Sequence, residues 1–143
     1  MPLTNFGSIL KFAEDLETQD HEFYLTASQN PKCTAQTQLF EAFASDLKKN
    51  QKVIQRIRRE NVTEMILEPV EGLTRSEFCI DLVSAKDLDE ASILENARQR
   101  EDRAKRYYQK AAEQIKAQPE VARGLKQIAK KRGAHLEKLQ EFV

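Results

Sequence analysis

Residues 88–111 read LDEASILENARQREDRAKRYYQKA, and this stretch decides the fold. Leu88, Ala91, Leu94, Ala97, Ala104, Tyr108 and Ala111 recur at steps of three and four, the period of one helix face. Neither Gly nor Pro interrupts the run, and Ala, Leu, Glu, Gln, Lys and Arg dominate it, all good helix formers. Glu101 breaks the apolar pattern, lying on the same stripe between Ala97 and Tyr108. The spacing predicts a helix over about 88–117, carried on by Ile115. Asp87 and Glu90 fit a box-like N-terminal cap, with Asp in place of Ser or Thr.

The same face occurs earlier in the chain. Glu17, Phe23-Tyr24 and Ala27 are repeated 84 residues later as Glu101, Tyr107-Tyr108 and Ala111. They belong to a predicted first helix, about 5–29, with Phe6, Ile9, Ala13 and Leu16 on the same side. Asn30-Pro31 ends it, because a residue before proline avoids the helical region. A second helix, about 35–60, carries Leu39, Phe40, Phe43, Leu47, Val53, Ile54 and Ile57. Its equivalent, about 119–142, opens at Pro119 and carries Val121, Leu125, Ile128, Ala129, Leu136, Leu139 and Phe142. Here the offset is 85: Phe40 matches Leu125, Phe43 Ile128, Ala44 Ala129, and Ile54 Leu139. Two hairpins of one pattern imply a pseudo-twofold bundle. Between them Pro69 and Gly72 precede a capping box, Thr74-Arg75-Ser76-Glu77, and the apolar Phe78, Ile80, Leu82 and Val83, which predict a short extra helix. Short links within hairpins and a long one between them give an all-α, ferritin-like four-helix bundle with one crossover.

Composition sets the outer bounds. A chain of 143 residues suits a single domain, 1–143, large enough for a true core. Charged residues make up 32% and there are only 4 Gly and 4 Pro, which favours helix over loop. Twenty-three basic residues balance 23 acidic ones, so no global field draws the chain to nucleic acid or an anionic membrane. Cys33 and Cys79 are too few for a disulfide framework and form no metal-spacing motif. Met1–Phe6 lacks the basic, then apolar, pattern of an export signal, and no stretch approaches the ~20 apolar residues of a membrane span. A cytoplasmic protein is expected.

Carboxylates on an apolar stripe are costly unless paired or metal-bound, so Glu17 and Glu101 at equivalent positions call for a partner. Together with the crossover and the segment Leu88-Asp89-Glu90-Ala91…Leu94…Ala97…Glu101, they make most of the chain resemble the rubrerythrin-like branch of the ferritin-like superfamily. That resemblance implies a di-iron centre handling peroxide or oxygen, with one Glu from each of helices one and three. A Glu-x-x-His pair would come from each of helices two and four. Carried across, Glu17 and Glu101 match, the helix-two pair falls at Leu47 and Asn50, and the helix-four pair at Arg132 and His135. Only the His survives, and neither segment contains Glu-x-x-His in any register. The four-cysteine iron domain of many rubrerythrins is also missing.

Two carboxylates with Arg132 between them leave a net charge of about −1, too little to attract two divalent ions. The expectation is a degenerate site in which Arg132 replaces the metal, its planar fork joining Glu17 and Glu101 in a buried triad. Such a protein carries no cofactor and serves an interaction or structural role, and the resemblance implies a homodimer. The alternative is an iron-binding oxidoreductase with a reduced, mononuclear site from Glu17, Glu101 and His135, to which His21 adds a ligand if its ring turns inward. His135 otherwise reads as a satisfied core histidine. Asp20 lies near the stripe and is available to pair with a base, while Tyr24 and Tyr108 are placed to hydrogen-bond the carboxylates. The basic stripes, Lys48, Lys52, Arg56 and Arg59 on helix two and Arg103, Arg106 and Lys110 on helix three, read as solvated faces rather than a nucleic-acid site.

Overall fold

Asn30 terminates the first helix by turning the chain and holding the turn. Its side chain accepts from the Lys32 amide at 2.8 Å and donates to the Leu88 carbonyl at 3.1 Å. In the computed structural model, which describes residues 6–60, 88–115 and 119–141, this helix is α1 (Phe6–Ser28). Pro31–Gln36 then forms a 3-10 turn in place of the expected start of the second helix, which begins instead at Thr37. Proline at the first turn position suits this tight geometry, since its missing N–H has no bond to lose. The remaining helices are α2 (Thr37–Glu60), α3 (Glu90–Gln114) and α4 (Pro119–Gln140). The fold is an all-α four-helix bundle.

The cap of α3 differs from the expected one. Asp89, not Asp87, sits at the N-cap and accepts from the Ser92 amide at 2.8 Å, and this bond lowers its pKa. An Asp at Ncap satisfies one orphan N–H and meets the positive end of the helix dipole. Asp87 itself, the crossover, the Thr74–Val83 helix, Cys79 and Phe142 all lie outside the described residues.

Paired contacts fix the helix directions. α1 runs antiparallel to α2, with Thr18 against Gln51 and Glu14 against Arg58. It is also antiparallel to α3, since the Tyr107 hydroxyl donates to the Ile9 carbonyl at 2.7 Å while Asp20 meets Arg100. α2 is antiparallel to α4, with Phe43 stacked on His135 and Ile57 facing Gly124. Leu88 therefore lies beside Asn30, at the end of the bundle opposite Glu60.

The apolar stripes meet in two clusters. One gathers Ile9, Leu10, Ala13 and Leu16 with Ile54, Tyr107, Tyr108, Leu125 and Ile128. The other gathers Phe23, Tyr24, Phe40, Phe43 and Leu47 with Ile93, Ala97 and Leu139. Each fully buried Leu or Ile contributes about 1.5–3 kcal/mol. Ala91, expected on the core face, is exposed, and Val53 and Leu136 are half-buried, because they fall at the edges of their stripes. Among the described residues no helix is long and apolar enough to cross a membrane.

Two helical glycines differ in what their neighbours permit. A methyl on Gly124 would come within 3.2 Å of Ile57 Cδ1, so this glycine allows α4 to approach α2 closely. One on Gly133 would meet only the Lys105 stem, at 3.5 Å, an ordinary contact. Gly133→Ala should therefore raise unfolding stability by about 0.5–1 kcal/mol through helix propensity alone. A lower midpoint in urea would show that the bundle needs this glycine.

Candidate functional site

Between the two apolar clusters lies a layer of buried charge. Glu17 and Asp20 are one turn apart on α1, so both project from one face towards α3 and α4. Arg132 of α4 reaches them from the other hairpin. One terminal nitrogen donates to Glu17 Oε2 and the other to Asp20 Oδ2, and all three side chains have no exposure to water. Its Nε lies 3.0 Å from Glu101 Oε2, an ion-pair distance at which the N–H is not aligned for a hydrogen bond. Three carboxylates thus surround one guanidinium.

The layer extends further along α3. Asp20 Oδ1 accepts from Arg100 and Arg103, each at 2.8 Å. Arg100 also donates from Nε to Asn96 Oδ1 at 2.7 Å and lies 4.2 Å over the Phe23 ring, a cation–π contact that shields it from water. Asn50 of α2 donates to Glu17 Oε1 at 3.0 Å, and Tyr24 of α1 donates to Glu101 Oε1 at 2.6 Å. Tyr108, its counterpart in the repeat, faces Glu17 and lies 3.3 Å from the Ala13 carbonyl. Three carboxylates (Glu17, Asp20, Glu101) and three guanidiniums (Arg100, Arg103, Arg132) balance one another.

Burial and proximity set the protonation of this layer. Burial is the largest influence on Glu17 and, with Asp20 and Glu101 nearby, raises its pKa from 4.5 to about 7 against the pull of Arg132 and Asn50. Burial opposes the charge on Arg132, but Glu101, Glu17 and Asp20 together outweigh it and hold its proton more tightly than usual. Arg103 goes the other way: burial lowers its pKa, and repulsion from Arg132 and Arg100 adds to this despite Asp20. Tyr24 and Tyr108 stay protonated well above the usual tyrosine range, burial being the main cause.

The residues singled out in the sequence are placed as follows. Glu17, Glu101 and Arg132 come together, and Asp20 joins them as a full member, so the set is larger than a triad. His135 stacks on Phe43 at 3.9 Å, with Nε2 2.9 Å from Asp46 Oδ2 and Nδ1 3.3 Å from Glu101 Oε2. His21 turns away: its Nδ1 donates to the Ala44 carbonyl at 2.9 Å, since a carbonyl can only accept. Leu47 packs in the second apolar cluster and Asn50 holds Glu17. Arg103 is a correction. Expected on a solvated stripe, it is buried against Asp20, whereas Arg106 is exposed and paired with Asp102. Arg100 and Asn96 were not anticipated either. One signal was present, for the 84-residue offset puts Arg100 at the place of core residue Leu16.

A pair of metal ions does not fit this donor set. Arg132 fills the space between Glu17, Asp20 and Glu101 with a permanent cation. Among the described residues no group of three or more His, Cys, Asp or Glu is arranged to hold a metal. No family model, curated protein or solved structure matches the chain.

Removing Arg132 leaves buried Glu17 and Glu101 without a guanidinium, while Asp20 keeps Arg100 and Arg103, so Arg132→Leu should cost ~3–5 kcal/mol. Arg98 is exposed and paired with Glu95, and Arg98→Leu should stay within about 0.5 kcal/mol of the parent. Equal melting temperatures for the two variants would contradict the ionic layer. The raised pKa of Glu17 adds a pH signature. The folded state binds this proton more tightly than the unfolded chain, so its contribution is complete below pH 4.5 and is lost as pH rises to about 7. The amount is roughly 3 kcal/mol. Glu17→Gln, which keeps the shape without the titration, should therefore gain on the parent as pH increases across that window. A stability difference constant with pH would count against the assignment.

Proposed function

We propose that the chain is a rubrerythrin-like, ferritin-like bundle in which an arginine stands where a metal pair would be, and that it acts as a non-enzymatic interaction or structural protein. The observation that carries this reading is the position of Arg132, fully buried and joined to Glu17, Asp20 and Glu101 from two other helices. A guanidinium has no open coordination position and no accessible second oxidation state, so it can hold helices together but cannot activate oxygen or peroxide. Glu17, Asp20, Glu101 and Arg132 themselves have no exposure to water among the described residues. With α2 ending and α3 beginning at opposite ends of the bundle, a crossover through 61–87 completes the proposed topology. A homodimer in the cytoplasm completes the picture by analogy with the family.

Elemental analysis of protein purified from iron- and manganese-rich medium tests the reading. Far less than one metal ion per chain is expected. About two ions per chain would refute it. A single ion lost in a His135→Ala variant would favour instead an iron protein with a mononuclear Glu17, Glu101 and His135 site.

A further inference from the structure

The outer face of α2 carries a long row of exposed cations. Lys48, Lys52, Arg56 and Arg59 follow one another at four-, four- and three-residue steps, with Lys49 at their edge, and all five are exposed. At 1.5 Å and 100° per residue the row stays within a sector of about 80° and is about 16 Å long. None of the five meets an acidic side chain among the described residues. Several other surface cations do: Lys11 pairs with Asp15 at 3.2 Å, Arg58 with Glu14, Arg98 with Glu95, and Arg106 with Asp102. Exposed Arg123, Lys126, Lys130 and Lys131 of α4 resemble the α2 row but span a shorter stretch. Like charges four residues apart weaken a helix, so the row is not explained by the stability of α2 itself.

Its ends narrow the choice of partner. Glu41, on the same line, precedes the row and Glu60 follows it, both exposed, so a binding anion is confined to the stretch between them. A long polyanion such as a duplex would run on into these carboxylates, and the zero net charge of the chain supplies no wider field to hold it. A second copy docking through the same twofold face would set cation against cation. An anionic lipid surface would gain only a modest attraction per cation, and the one large exposed apolar residue among those described, Leu25, is on α1 and adds no second anchor here.

We propose that this face docks an acidic helical segment of a partner protein, with carboxylates at i, i+4, i+8 and i+11 opposite Lys48, Lys52, Arg56 and Arg59. This deepens the interaction role above, but it does not depend on the metal content of the core, so each can fail without the other. Helix-on-helix pairing suits the row because both partners then repeat at the same rise of about 6 Å per four residues.

Fluorescence anisotropy with the full chain at low ionic strength provides the test. The probe is a labelled helical peptide with Glu at i, i+4, i+8 and i+11 in an Ala/Gln background. Its control has the same composition with the acids spread around the helix. The striped peptide should bind at least about fivefold more tightly than the control, and Lys52→Glu with Arg56→Glu should weaken it at least about tenfold. The milder pair Lys52→Gln with Arg56→Gln should fall between, and Lys126→Glu on α4 should leave binding unchanged, with unaltered circular dichroism for all. Absent binding, equal affinity for both peptides, indifference to charge reversal, or tighter capture of a short DNA duplex would each overturn the proposal.

Discussion

A guanidinium with no contact to water dictates the middle of this bundle. Moving such a charge out of water costs several kcal/mol even after relaxation, and only acceptors at close range offset that cost. Arg132 finds them on two other helices: Glu17 and Asp20 from α1, Glu101 from α3. Each of these acids must in turn be satisfied, which brings in Asn50 from α2, Tyr24 from α1, and Arg100 and Arg103 from α3. All four helices are thereby tied to one layer.

This layer divides the core into two apolar clusters, and the division has a consequence for register. Leucines and isoleucines tolerate a slip of one helix along another, because one apolar turn resembles the next. Arg132 does not. A one-turn shift of α4 moves it about 5.4 Å, away from Glu17 and Glu101, which would then be buried without a guanidinium. An apolar replacement of the whole set would be at least as stabilising in principle. What the ionic layer adds is discrimination between the native alignment of the hairpins and its near neighbours. That is a structural role for the layer.

Charge is handled differently inside and outside. In the core three acids balance three bases across helices, with Glu17 titrating near neutrality because burial and two neighbouring carboxylates oppose its ionisation. On the surface, α3 pairs its own charges at helical spacing, as in Arg98 with Glu95 and Arg106 with Asp102. The outer row of α2 follows neither pattern, and neither do Arg123, Lys126, Lys130 and Lys131 of α4; the α2 row is the longer of the two.

How far the residues alone disclosed this arrangement depends on the range of each interaction. Periods of three and four, Asn30-Pro31, Pro119 and the 84-residue repeat are local features, so the four helices and most buried apolar positions were legible without coordinates. The facing of Glu17 and Glu101 followed from the repeat. The start of α2 was displaced because a proline-led 3-10 turn intervenes, and the α3 cap fell on Asp89 rather than Asp87 because both acids satisfy the same local rule. Arg100 and Arg103 were not readable as core residues: a long basic side chain at a stripe edge reaches water or turns inward according to what faces it. Here Asp20 faces them from 80 and 83 residues away. Sequence by itself determined the helices and their apolar faces, since these arise within a few turns of one chain. Only the tertiary structure decided which charges are buried together, because that depends on which faces meet.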